Sequence, residues 1–163
     1  MRQLGRGVRS PGRIYFTGGV TAVLLGWRES TMDVDLKADP EPDGFFEMLP
    51  KLKDTIDINI ELAAPDDFVP ALPEWRDRSI FIERQGQAEF FHYDLYGQAL
   101  SKLERLHERD EIDIARMLGD RLVEPAKLWE LFLAVEAKLI RYPAIDPEKL
   151  RKRVKKIADE GKP

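Results

Sequence analysis

The sequence predicts an α+β fold with an α/β-like core: strands and helices alternate over about the first 95 residues, and helices follow. Three observations carry this. Apolar and polar residues alternate with period two over 32–36 and 55–62. Two strand-like tracts, 79–83 and 88–93, flank Arg84-Gln-Gly-Gln87. Beyond Asp94 the apolar spacing becomes helical.

The first strand is predicted at Arg13-Ile-Tyr-Phe-Thr17, which is rich in strand formers and stops at Gly18-Gly19. Val20 to Trp27 is nearly continuously apolar with Ala22 inside it, and reads as a short buried helix. Arg28 to Thr31 is polar and turn-like. In the next strand Met32, Val34 and Leu36 share one face, and Asp33 and Asp35 share the other. Asp39 to Gly44 is a loop. Phe45, Phe46, Met48, Leu49 and Leu52 then mark a helix starting near Asp43, which Pro50 disfavours. From Thr55 to Leu62 the alternation returns, with Ile56, Ile58, Ile60 and Leu62 on one face and Asp57, Asn59 and Glu61 on the other.

Residues 63–75 contain three prolines and read as a surface excursion before the hairpin. Four helices follow. Tyr96, Ala99, Leu100, Leu103 and Leu106 mark the first; Ile112, Ala115, Met117 and Leu118 mark the second, which ends at Gly119. Leu128, Leu131, Phe132, Val135 and Leu139 mark the third, with Pro125 in its first turn, and Leu150, Val154, Ile157 and Ala158 the fourth. The expected organisation is an α/β core over 1–95 and a helical part over 96–163, packed as one compact unit.

Composition narrows the function classes. The chain has 163 residues, no cysteine and a net charge of −4. Disulfides, thiolate zinc sites and cysteine nucleophiles are excluded. The two histidines, His92 and His107, have no ligand-like spacing. The net charge gives no global attraction to nucleic acid or anionic lipid, although both ends are locally basic: Arg2, Arg6, Arg9 and Arg13 at one, Lys149 to Lys156 at the other. Val20 to Trp27 is too short to cross a bilayer. A cytoplasmic protein of bacterial type without a membrane segment is the expectation. Trp75, Phe90, Phe91, Tyr93 and Tyr96 sit in periodic apolar tracts and are expected in the core.

Two aspartates at i and i+2 on a strand project their carboxylates side by side, which is unfavourable unless cations neutralise them or solvent screens them. Magnesium suits such a pair. It takes one or two carboxylates and completes its shell with water and substrate phosphates. Glu61 and Asp57 both have the alternation expected of a third carboxylate on a neighbouring strand. The glycines fit the same chemistry, because a side-chain-free turn opening a helix lets phosphate oxygens reach backbone N–H groups. Thr17 and Thr21 are candidate hydroxyl donors there.

Thr17-Gly18-Gly19, a short helix and Asp33-Val-Asp35-Leu together resemble the signature of the nucleotidyltransferase superfamily related to DNA polymerase beta. There a glycine pair precedes Asp-x-Asp by about nine to thirteen residues. The string GGVTAVLLGWRESTMDVDL, the segment IELAAPDDFVPALPEW and the segment ALSKLERLHERDEIDIARML are also similar to a group of small bacterial nucleotidyltransferase-like proteins, itself similar to abortive-infection nucleotidyltransferase toxins. The likeness covers residues 13–120.

The resemblance implies a small mixed sheet carrying the acids, with helices packed behind it. It implies Mg²⁺-dependent (or Mn²⁺-dependent) transfer of a nucleoside monophosphate from an NTP to a hydroxyl of RNA, protein or a small molecule. Asp33 and Asp35 would bind the ions with Glu61 or Asp57 as third carboxylate, and Gly18 and Gly19 would lie against the triphosphate. Lys102 would contact nucleotide phosphates, and Asp110 and Asp113 correspond to a downstream acidic motif. Read from the residues alone, Lys102 is equally a border lysine of an amphipathic helix with its amine in water, and Asp110 a helix cap. A non-catalytic member that binds nucleotide or a partner protein, such as a toxin–antitoxin component, is the alternative.

Overall fold

The computed structural model describes residues 1–161; Lys162, Pro163 and the side chain of Ile56 lie outside the described ones. It divides into two compact units. The first comprises Met1–Ala64 and Ser79–Tyr93, and the second comprises Pro65–Arg78 and the chain from Asp94 onward.

The first unit is an α+β arrangement around a five-stranded mixed sheet. Its elements are α1 (Arg2–Gly7), β1 (Gly12–Thr17), α2 (Gly18–Leu24), β2 (Asp33–Ala38), α3 (Phe45–Ile56), β3 (Asn59–Leu62), and the hairpin strands that follow residue 78. With those strands numbered β4 (Ile80–Gln85) and β5 (Ala88–His92), the order across the sheet is β3-β2-β1-β5-β4. β1 runs antiparallel to β2 and parallel to β5, while β2 and β3 are parallel.

One face of this sheet is dry. Ile14, Phe16, Leu36, Ile60, Ala88 and Phe90 pack against Leu4 and Val8 from the α1 region and against Phe45, Leu49 and Leu52 of α3. Each of these side chains larger than alanine contributes about 1.5–3 kcal/mol by leaving water. That burial fixes the register, because a one-residue slip would turn the apolar set outward. The alternate residues, among them Asp33, Asp35, Asn59 and Glu61, are thereby committed to the other face.

The second unit is helical. It contains α4 (Pro65–Phe68), α5 (Trp75–Arg78), α6 (Leu95–Arg105), α7 (Glu108–Gly119), α8 (Pro125–Val135) and α9 (Pro147–Glu160). Leu100 and Leu103 of α6, Met117 of α7, Leu128 and Phe132 of α8 and Leu150 and Val154 of α9 are buried. Asp94 caps α6 by accepting from the Tyr96 N–H at 3.2 Å, and Arg78 grips the same carboxylate with bonds of 2.7 and 3.2 Å. Among the described residues no helix is long and apolar enough to cross a membrane.

Several expectations are corrected. The second strand begins at Asp33, so Met32 lies outside it and is 83% exposed rather than turned to the core. The tract from Thr55 is not one strand. α3 runs through Pro50 to Ile56, and Asp57 then takes a left-handed conformation with φ of 50°. The strand is left with Asn59–Leu62, in which Ile60 is buried and Leu62 half-exposed. Residues 63–75 are no surface excursion, since Val69, Leu72 and Trp75 are buried. α2 includes both glycines and stops at Leu24, and the helix at 125 gives way after Val135 to a 3-10 segment, Glu136–Arg141.

Candidate functional site

The acidic face is assembled by register. Asp35 on β2 stands opposite Thr17 of β1 on one side and opposite Glu61 of β3 on the other, and Asp33 stands opposite Asn59. Paired residues project from the same face within about 5 Å at Cβ. Asp33, Asp35 and Glu61 therefore share one end of the sheet. Asp57 lies outside β3, in the left-handed turn that ends α3 before the strand begins.

The glycine pair closes over the acids. Gly18 has a φ of 61°, and a Cβ built on it would lie 2.5 Å from Asp35 Oδ2. A Cβ on Gly19 would lie 2.3 Å from Thr31 Oγ1 and 3.9 Å from an Arg28 guanidinium nitrogen. Only glycine permits both the left-handed backbone and the approach of the turn to the carboxylate. Thr31 donates to the Asp33 carbonyl at 3.0 Å, which ties this loop to the start of β2. Arg28, read from sequence as a plain turn residue, thus borders the glycine turn.

The two threonines separate. Thr17 is a buried residue at the end of β1, directly before the glycines. Thr21 is buried and donates to the Phe16 carbonyl at 3.1 Å, with His92 Nδ1 3.4 Å from its oxygen. Its hydroxyl thereby ties α2 to the end of β1. Burial lowers the His92 pKa, which favours the neutral ring.

Asn59 connects two of the carboxylates. Its Nδ2 donates to Glu61 Oε1 at 2.6 Å and to Asp33 Oδ1 at 3.2 Å, while its Oδ1 accepts from Lys53 Nζ at 3.1 Å. The sequence placed Asn59 on the polar face but gave it no role. The only signal available there was its position two residues before Glu61.

In the second unit Lys102 is 6% exposed, and its ammonium is not in water. It donates to Asp113 Oδ2 at 2.7 Å and to Asp110 Oδ1 at 3.2 Å. Arg105 donates to both oxygens of Asp110 at 2.7 and 2.8 Å. Asp110 is the third residue of α7 rather than its N-cap, and its Oδ2 accepts from the His107 N–H at 3.1 Å. Burial by itself would raise the Asp110 pKa. Arg105, Lys102 and the His107 amide more than offset it and hold the value at about 2.

The donor set on the sheet is hard oxygen, as magnesium requires. Among the described residues no three histidine, aspartate or glutamate side chains are grouped as a ready-made metal cage. The arrangement instead suits an ion held by one or two carboxylates and completed by water and phosphate oxygens. The missing Cβ at Gly18 lets the turn and the Asp35 carboxylate approach each other closely. By their donor chemistry and shared face the residues fit a magnesium ion.

No curated protein and no solved structure shows significant similarity to the chain. A family model does. Described as "Nucleotidyltransferase of unknown function (DUF6036)", it matches residues 14–158, a span that contains the glycine turn, the acidic strands and most of the helical unit. By that match over most of its length, the chain belongs to this nucleotidyltransferase family.

Proposed function

We propose that the protein transfers a nucleoside monophosphate from an NTP to an acceptor hydroxyl of RNA, protein or a small molecule, with Mg²⁺ or Mn²⁺ at Asp33 and Asp35 and with Glu61 beside them as the third carboxylate. The observation that carries this reading is the register of β1, β2 and β3, which lines up Thr17, Asp35 and Glu61 beneath a glycine turn that excludes any side chain. Asp33 and Asp35 would present carboxylate oxygens to the ion. Glu61 is the third carboxylate and the candidate general base for the acceptor hydroxyl. Gly18 and Gly19 would lie against the triphosphate without a side chain between, and Thr17 and Arg28 border that turn.

The reaction is an in-line attack of the hydroxyl oxygen on the α-phosphorus, with the bond to pyrophosphate breaking as the new ester forms. The ion, when bound, supplies Lewis acidity to the hydroxyl and screens the charge on the leaving pyrophosphate. Lys102 is assigned to the nucleotide phosphates by the resemblance alone, and its ammonium is held by Asp110 and Asp113. The superfamily of DNA polymerase beta-like nucleotidyltransferases and its toxin members remain the group this reading points to.

The test is transfer of label from each of the four α-labelled NTPs, with Mg²⁺ or Mn²⁺, to total RNA and total protein. The wild type is expected to label an acceptor, and Asp33→Asn combined with Asp35→Asn to abolish labelling while the circular dichroism spectrum persists. Labelling that survives the double substitution overturns the site. Nucleotide or partner affinity without turnover would establish the non-catalytic alternative instead.

A further inference from the structure

We infer that Asn59 is the positioning residue of this site: its carboxamide holds Glu61 beside Asp33, and Lys53 fixes which way the carboxamide faces. The inference rests on the ion-binding reading of Asp33, Asp35 and Glu61 given above. Asp33 and Glu61 lie on adjacent parallel strands and on the same face, where two carboxylates repel. Asn59 stands opposite Asp33 and two residues before Glu61, so its side chain enters between them. The amide nitrogen has two hydrogens and meets two carboxylate oxygens, Glu61 Oε1 at 2.6 Å and Asp33 Oδ1 at 3.2 Å.

Lys53 makes this orientation one-way. Its ammonium donates to Asn59 Oδ1 at 3.1 Å. A flipped amide would aim its oxygen at two carboxylates and its N–H groups at a cation, and both pairings are repulsive. The left-handed turn at Asp57 makes the contact possible, because it brings the chain round from the last turn of α3, where Lys53 sits, to the first residue of β3.

The bridge uses one oxygen of each acid. Asp33 Oδ2 and Glu61 Oε2 have no hydrogen-bond partner among the described residues and remain available to an ion. Ligating carboxylates are commonly oriented by such outer hydrogen bonds, and their loss costs roughly 10–100-fold in metal affinity or activity. Asparagine suits the place better than a second cation. It orders the acids without neutralising the charge that attracts the ion.

The experiment is a Mn²⁺ titration of the full-length protein by calorimetry and electron paramagnetic resonance, with no nucleotide present. Asn59→Leu is expected to weaken Mn²⁺ binding by about 10-fold, and Lys53→Met by a smaller factor. If Asn59 acts through Glu61, adding Asn59→Leu to Glu61→Gln changes affinity by less than about 2-fold. A general structural role would give the same loss in both backgrounds, and that result overturns the assignment. So does unchanged Mn²⁺ affinity in Asn59→Leu. Absence of any Mn²⁺ uptake by the wild type overturns the ion-binding reading itself, and this assignment with it.

Discussion

The Lys102, Arg105 and Asp110 cluster makes a pH-dependent prediction that can be worked from its geometry. The perturbation is Asp110→Asn. In the wild type the folded-state pKa of Asp110 is about 2 against an ordinary 3.8. A depressed carboxylate contributes stability that is fully present above about pH 4 and is lost as pH falls toward 2. At about 1.36 kcal/mol per unit the shift corresponds to roughly 2.4 kcal/mol. Arg105 is half-exposed and its attraction is screened by solvent, so about 2 kcal/mol is the upper figure. Urea unfolding of the wild type and Asp110→Asn at steps from pH 6 to pH 2.5 measures it. The stability gap should be at most about 2 kcal/mol at pH 6 and should narrow steadily below pH 4, because a protonated aspartate resembles the asparagine. A gap that stays constant across that range would refute the reasoning.

Two further substitutions test other parts of the molecule. Gly18→Ala places a methyl group 2.5 Å from Asp35 Oδ2 on a left-handed backbone, whereas Gly26, with φ of 76°, has nothing within 4 Å of a built Cβ. Both should lose roughly 1–2 kcal/mol in thermal unfolding from the backbone alone, and only Gly18→Ala should cut Mn²⁺ binding or nucleotidyl transfer more than about 10-fold. Equal effects of the two on transfer would remove the glycine turn from the site. Arg78→Met removes the Arg78 pair from the fully buried Asp94 carboxylate, and urea unfolding should show a loss of about 3–5 kcal/mol; a loss below about 1 kcal/mol would mean that the other hydrogen bonds of the carboxylate satisfy it.

The glycine pair and Asp33-Val-Asp35 are legible in the sequence because their geometry is local. A glycine turn and an i, i+2 alternation need no knowledge of what lies elsewhere. The proposed third carboxylate is not local. Under strict alternation from Thr55, Asp57 and Glu61 are equivalent, and only the left-handed turn at Asp57 separates them by ending α3 before the strand starts. Lys102 reads as a border lysine because its partners, Asp110 and Asp113, lie on the next helix. α1 leaves almost no trace, since RQLGRG has two glycines and a single apolar residue, yet Leu4 is part of the core. Three prolines hide the i, i+3, i+6 spacing of Val69, Leu72 and Trp75, all of which are buried.

The path of the chain between its two units has a consequence for how the protein is made. The sheet unit is discontinuous: the chain leaves it after Ala64, spends 65–78 in the helical unit and returns for β4 and β5 before leaving again at Asp94. β5 is an interior strand, the parallel neighbour of β1, so the sheet cannot close until residue 92 has been synthesised. During translation the first sixty residues therefore leave β1 with an unpaired edge, and the helical segment 65–78 emerges well before the helices it packs with. Early termination anywhere before β5 would release a chain with that open edge. Closure of the sheet is thus a late event, and the long sequence separations it must bridge favour slow folding.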